Sequence, residues 1–142
     1  MLRLFLLSLL IIIISPARAA SKLVKPQPEK IITVIVDENG LAYIGRDTLI
    51  IYQVTEELHN RLWKSFLGTG KMPDIISLKF EGAVSDEKKS AAVKAIKEAQ
   101  QKTIEEICVH KYKKRFEEIK SKQKTKIKNR FPILFQATFE NS

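Results

Sequence analysis

The chain has 142 residues, of which 44% are hydrophobic, and a formal net charge of +9; once the first twenty or so residues are set aside, that is room for one small folded domain. The charge is not spread evenly: from Lys111 to Arg130, ten basic residues less two acids leave +8, so the basicity belongs to one segment and not to the whole fold. A single cysteine, Cys108, excludes an internal disulfide.

Met1-Leu2-Arg3 precedes an apolar run from Leu4 to Ile14, with Ser8 its one mild exception. Ser15-Pro16 breaks the run, and Ala17 and Ala19 are the small residues that an A-x-A cleavage site needs. A basic start, short apolar core, helix breaker and small-residue site make a secretory signal pattern. The competing reading is an uncleaved, tilted membrane anchor, although the run is shorter than the ~18 apolar residues of an ordinary span. The cleaved signal is favoured, and both readings export the remainder. Residues 1–20 are therefore assigned to a signal peptide or anchor. Residues 21–29 (SKLVKPQPE) form a linker that Pro26 and Pro28 keep extended, and residues 30–142 form the domain.

Ile31 to Val36 is a β-branched run that predicts a strand. Asp37-Glu38-Asn39-Gly40 ends in Asn-Gly, the pair that best tolerates positive φ in a hairpin turn. Leu41 to Ile44 returns, Gly45-Arg46-Asp47 turns again, and Thr48 to Ile51 completes a meander. Thr55, as a hydroxyl N-cap followed by Glu56 and Glu57, opens a helix whose Leu58, Leu62 and Phe66 should lie on the sheet beside Trp63. Gly68-Thr69-Gly70 ends that helix, and Pro73 forbids its resumption.

Asp74 to Phe80 alternates, placing Ile76, Leu78 and Phe80 on one face of a further strand. Ser85 caps a second helix with Asp86 and Glu87 in its first turn. Its apolar stripe, from Val93 through Ile107 and Cys108 to Tyr112, Phe116 and Ile119, predicts about ten turns on the ~3.6-residue period. The second half of such a helix outruns a small core and must project, bend near Gln100-Gln101 or pack on another copy. In the tail, Ile133, Phe135, Ala137 and Phe139 alternate as a strand would, to pair with an edge of the same sheet or of a partner. The expected fold is α+β: a small mixed or antiparallel sheet of about four to five short strands, covered on one face by two helices, the second long.

No enzyme signature stands out, and no catalytic, cofactor-binding or metal-binding residue is assigned. His59 and His110 fall on different helices without acidic or cysteine neighbours at ligand spacing, so surface histidines are expected. Cys108 lies in the apolar stripe and reads as a buried, inert thiol. Gly68-Thr69-Gly70 follows a helix where a phosphate cradle would precede one. Lys122, Lys124, Lys126 and Lys128 make a basic surface whose plainest reading is the solvated face of a helix; contact with anionic lipid or cell-wall polymer is the functional alternative. The exported N-terminus argues against nucleic acid as a partner.

The order of a short apolar segment, a Pro-bearing linker, ITVIVDENGLAYIGRDTL, a helix with EELHNRLW, and PDIISLKF leading into SDEKKSAAVKAIKEAQ resembles the ExbD/TolR family of biopolymer-transport proteins. The resemblance covers roughly Leu4 to Gln100 and the rest more loosely. It implies a single-pass protein of the bacterial inner membrane with a small α+β domain in the periplasm, or a soluble periplasmic protein if the N-terminus is removed. It also implies a homodimer, an ExbB/TolQ-type channel subunit and a TonB/TolA-type transducer as partners, in a complex driven by the proton-motive force that supports protein transport. Ile133, Phe135 and Phe139 are the candidate dimer or partner edge. One departure stands out: the family's membrane helix carries an aspartate for proton coupling, and Leu4 to Ile14 contains no acid. The expectation is either a chain that begins late or a divergent form that no longer moves protons. The alternative function is a secreted or periplasmic adaptor whose basic helix holds an anionic surface.

Overall fold

The computed structural model describes residues 29–136 and 140–141; Leu4, Ile14, Ala17, Ala19 and Phe139 lie outside the described residues. β1 (Ile31–Asp37) and β2 (Leu41–Ile44) pair antiparallel, Val34 opposite Ile44 and Val36 opposite Ala42. Three residues join them, and only Gly40 takes the left-handed position, at φ +85, while Asn39 does not. The hairpin thus closes as a three-residue turn and not on Asn-Gly as a pair.

Asp37 organises this turn. Its Oδ1 accepts from the Asn39 and Leu41 amides at 2.9 and 2.8 Å, and its Oδ2 accepts from the Tyr43 hydroxyl at 3.1 Å. Loss of solvent pulls the carboxyl pKa up, but the Leu41 amide, Tyr43 hydroxyl and Asn39 amide outweigh it and hold Asp37 below its usual value of 3.8. The resulting stabilisation is complete above the unfolded-state value and is lost as the pH falls through the depressed folded-state one. Urea midpoints of Asp37→Asn should therefore fall less steeply than those of the parent chain as the pH drops below 3.8. Parallel pH profiles would show that the turn does not titrate in this way.

β3 (Asp47–Ile50) pairs antiparallel with β2, and β4 (Ile75–Glu81) lies parallel to β1 from Ile31 opposite Ile75 to Asp37 opposite Glu81. The two-residue β5 (Glu140–Asn141) adds to β4 in parallel at Ser77 and Leu78, giving a mixed sheet in the order β3-β2-β1-β4-β5. A parallel pairing needs a crossover, and α1 (Val54–Thr69) makes it from β3 to β4. Ile32, Val34, Val36, Ala42, Ile44, Ile76 and Leu78 share one face and are all buried. α1 covers that face with Leu58, Leu62 and Phe66, and α2 (Asp86–Tyr112) with a row that includes Ala92, Ala95, Ile96 and Ala99. The alternate residues, among them Ile31, Ile35 and Tyr43, keep partial exposure on the other face. The fold is α+β, with the second helix long.

α1 and α2 run parallel to one another: Thr55 meets Ala95, Glu56 meets Lys102, His59 meets Thr103, and Phe66 meets His110. α1 starts one residue before the expected cap. Ile51–Gln53 coils as a 3-10 turn into Val54, and burial of Ile51 and Val54 draws the start inward. Thr55 is left inside the first turn, where its hydroxyl donates to the Ala95 carbonyl at 3.2 Å. Gly70, left-handed at φ 66, ends the helix and donates to the Phe66 carbonyl. Ser85 caps α2 as expected, its Oγ accepting from the Lys88 amide.

The ten-turn helix does not form. α2 ends at Tyr112, Lys113 turns left-handed at φ 58, and after a 3-10 turn at Phe116–Glu118 the chain makes a separate helix, α3 (Ser121–Arg130). A left-handed lysine costs ~1–2 kcal/mol. Folding back buries Ile119, Ile127, Phe131, Ile133 and Leu134, at ~1.5–3 kcal/mol for each large side chain, so the break wins. Lys113→Gly should remove part of the backbone cost and raise stability by roughly 0.5–1 kcal/mol. A lowered urea midpoint would contradict the left-handed cap.

The expected strand at Ile133 and Phe135 is also corrected. Pro132–Phe135 is a 3-10 turn, and the consecutive burial of Ile133 and Leu134 suits a turn and not an alternating strand. The buried Gln100 side chain, at the place where a bend was one of three alternatives, donates its Nε2 hydrogen to the Ile133 carbonyl from within an unbroken α2. Strand pairing comes later, when β5 joins β4 of the same sheet.

Candidate interaction surfaces

The buried polar groups serve packing. His59 is not the surface residue expected: it is 3% exposed between α1 and α2, with Nδ1 3.0 Å from Thr103 Oγ1 and Nε2 3.3 Å from Glu106 Oε2. Thr103 Oγ1 also lies 2.8 Å from the Ala99 carbonyl. The sequence signal was the four-residue step of Leu58 and Leu62, which places His59 next to the buried stripe. His110 is exposed, with its ring edge-on to Trp63 and Phe66 at 5.8 and 5.7 Å. Cys108 is buried, and burial, with Glu105 adding to it, pushes its thiol up to about 11, so little thiolate forms near neutral pH. Among the described residues, no three His, Cys, Asp or Glu side chains converge as metal ligands.

Shallow concavities mark the surface of the described residues. One of about 400 Å³ lies over α1 and α2 between Trp63, Glu105, Glu106, Val109, His110 and Lys113. Another, about 330 Å³, lies between the β1–β2 turn and the start of α2, with Tyr52, Lys88 and Ala91 among its walls. Neither gathers the nucleophile, base and oxyanion donors that a hydrolytic site requires.

The four lysines of the expected basic surface separate on α3. Lys122 and Lys126 are exposed. Lys124 is half-buried, 3.7 Å from Glu117, donating to the Glu117 carbonyl at 3.0 Å and lying 5.5 Å from the Phe116 ring centre. Lys128 is exposed but rests 5.7 Å from the Phe135 ring centre. The fold-back also joins two cations that the sequence keeps far apart. Lys111 at the end of α2 and Arg130 at the end of α3 lie 5.4 and 5.7 Å from the Phe131 ring centre. Burial and then Arg130 lower the Lys111 pKa, against a smaller opposing pull from Cys108.

The expected dimer edge is not brought together. Ile133 is buried, Phe135 is half-buried against Phe116, and Phe139 lies outside the described residues. Among the described residues β3 is the edge that has no neighbouring strand, since β5 occupies β4 at Ser77 and Leu78. Ile50 is 50% exposed there, and Tyr52 just beyond it is 88% exposed.

Among the described residues no helix is long and apolar enough to cross a membrane. No protein-family model matches the chain, and a search of curated proteins finds no match to it.

Proposed function

We propose that the chain is a binding subunit of an ExbD/TolR-type energy-transducing complex, acting in the periplasm through protein–protein contacts to support protein transport. The observation that carries this reading is the element order. Three meandering strands, a helix, a strand parallel to the first and a second helix, with both helices on one face, is the order that the resemblance implies. The partners on this reading are a second copy, an ExbB/TolQ-type channel subunit and a TonB/TolA-type transducer. The N-terminal segment holds the domain at the inner membrane or delivers it across.

With Ile133 buried, the dimer contact moves to the open edge at β3. A strand edge that no other strand covers among the described residues, with its Ile50 amide donating to Gln53 Oε1 at 3.3 Å and with Ile50 and Tyr52 exposed beside it, is a template for pairing with another chain. Sedimentation of the full chain in detergent should give a dimer, and Ile50→Asp with Tyr52→Asp should convert it to monomer without changing its far-ultraviolet spectrum. A parent chain that stays monomeric at high concentration would count against the reading.

A second reading, an adaptor that holds an anionic surface outside such a complex, is favoured by exposed Lys122 and Lys126, neither of which has an acidic partner among the described residues. It predicts that charge reversal at Lys122, Lys124, Lys126 and Lys128 abolishes retention on anionic vesicles or cell wall.

A further inference from the structure

We infer that the basic end of the domain, where the chain comes in from the N-terminal segment, docks on the anionic lipid surface of the membrane to which that segment attaches. The inference rests on the exported, membrane-attached reading and names the surface that this end meets.

The topology puts the two ends of the domain in different electrical surroundings. β1 and β4 start together, where the Asp74 and Ile75 amides donate to the Lys30 carbonyl at 2.7 and 3.3 Å. α1 and α2 run the other way and end there. Arg130 reaches the same place, its guanidinium donating to the Gly70 carbonyl at 3.4 Å, four residues before Asp74. Lys111 shares the Phe131 ring with Arg130. Lys30, Lys71, Lys111, Lys114 and Arg130 thus gather toward the end that holds residue 29. Acids instead mark the far end: Asp37 and Glu38 in the hairpin turn, and Asp86 and Glu87 in the first turn of α2 beside it, where Lys88 donates to the Glu38 carbonyl.

Within the domain Lys111 and Arg130 lie against the Phe131 ring and Arg130 donates to the Gly70 carbonyl, but ion pairing does not account for these charges. Among the described residues none of the five forms an ion pair, whereas Lys89, Lys94, Lys102 and Lys124 all do. At the same end Glu29 and Asp47 are held by Arg61, and Asp74 is the acid beside them. The negative ends of the helix dipoles suit Lys111 and Arg130, but Lys30, Lys71 and Lys114 lie in no helix. A lipid surface suits this placement because the tether delivers it. Residues 15–28 can span at most ~50 Å, which keeps this end within that distance of the headgroups, and each basic residue near an anionic leaflet is worth about fivefold in partition.

Trp63 is the chain's one tryptophan. Its ring lies 5.8 Å from His110, next to Lys111 near the same end, and so reports the approach. The full chain is mixed with phosphatidylcholine vesicles and with phosphatidylglycerol-rich vesicles, each carrying dansyl-labelled headgroups, and energy transfer from Trp63 is read after flotation. If the chain floats with neutral vesicles, the membrane attachment holds. Transfer should then be greater on anionic vesicles, and fall to the neutral level in molar salt, where screening shortens to about 3 Å. It should fall likewise in the triple variant Lys30→Glu, Lys71→Glu, Lys114→Glu, and not in the Lys79→Glu, Lys97→Glu control. Equal transfer on the two vesicle types overturns the docking while leaving the attachment intact. If the chain does not float with neutral vesicles, the attachment fails; flotation with anionic vesicles alone then supports the basic surface, and flotation with neither overturns it.

Discussion

Phe131→Ala should lower the unfolding free energy by ~3–5 kcal/mol, measured by urea denaturation of the full chain. Phe131 is fully buried, meets Phe66 of α1 edge-on at 5.7 Å, and carries Lys111 and Arg130 against its ring. It therefore joins the end of α1, the end of α2 and the end of α3 in one contact. Truncation leaves a cavity where three elements meet, and it releases two cations from the aromatic ring, worth ~0.5–1 kcal/mol each at an exposed site. A loss below about 1 kcal/mol, the range of ordinary surface substitutions, would mean that the segment after Lys113 does not pack on the domain.

Removing the polar contact between α1 and α2 should have the next largest effect. His59→Ala is expected to cost ~1–3 kcal/mol, from the lost hydrogen bond to Thr103, whose hydroxyl keeps its bond to the Ala99 carbonyl, and from the space that the buried ring leaves. Thr103 Oγ1 loses its 3.0 Å contact with the ring, and Glu106 loses the imidazole that screens one side of its carboxylate. Thr103→Val acts on the same contact from α2 and strands His59 Nδ1. The two substitutions should not add: residues in direct contact show coupling of ~0.5–3 kcal/mol in a double-mutant cycle. Full additivity would show that the two helices are held there by apolar packing alone.

The sheet and its covering helices could be read from the sequence because each signal was local. β-branched runs, the glycines after Asn39 and Thr69, and the Ser85 cap each act within a few residues, and each lies where expected. Two elements were misread for one reason. The stripe through Tyr112, Phe116 and Ile119 continues the helical period, so periodicity alone favours a straight helix, and Lys113 is not a residue that announces a left-handed turn. What breaks the helix is the burial of Phe131, Ile133 and Leu134 many residues later, and no local pattern carries that. The same distant contact turns Ile133 inward and removes it from any partner edge. His59 was missed because a histidine beside an apolar stripe reads as a surface residue until the parallel packing of α2 places Thr103 and Glu106 against it. The joining of Lys111 with Arg130 depends on the same fold-back.

These corrections move the proposed function toward particular surfaces without changing its kind. The features left facing outward are Ile50 and Tyr52 beside the β3 edge and, near residue 29, cations that form no ion pair among the described residues. A domain that offers an open strand edge and a basic end is suited to holding partners.

Co-expression of the full tagged chain with the ExbB/TolQ-type subunit of the same bacterium, followed by detergent extraction of membranes, tests this assignment most directly. The two proteins should co-purify through affinity and size-exclusion steps as a complex containing at least two copies of this chain, and Ile50→Asp with Tyr52→Asp should reduce that copy number. Recovery of the chain alone, with the channel subunit in a separate peak, would contradict the assignment.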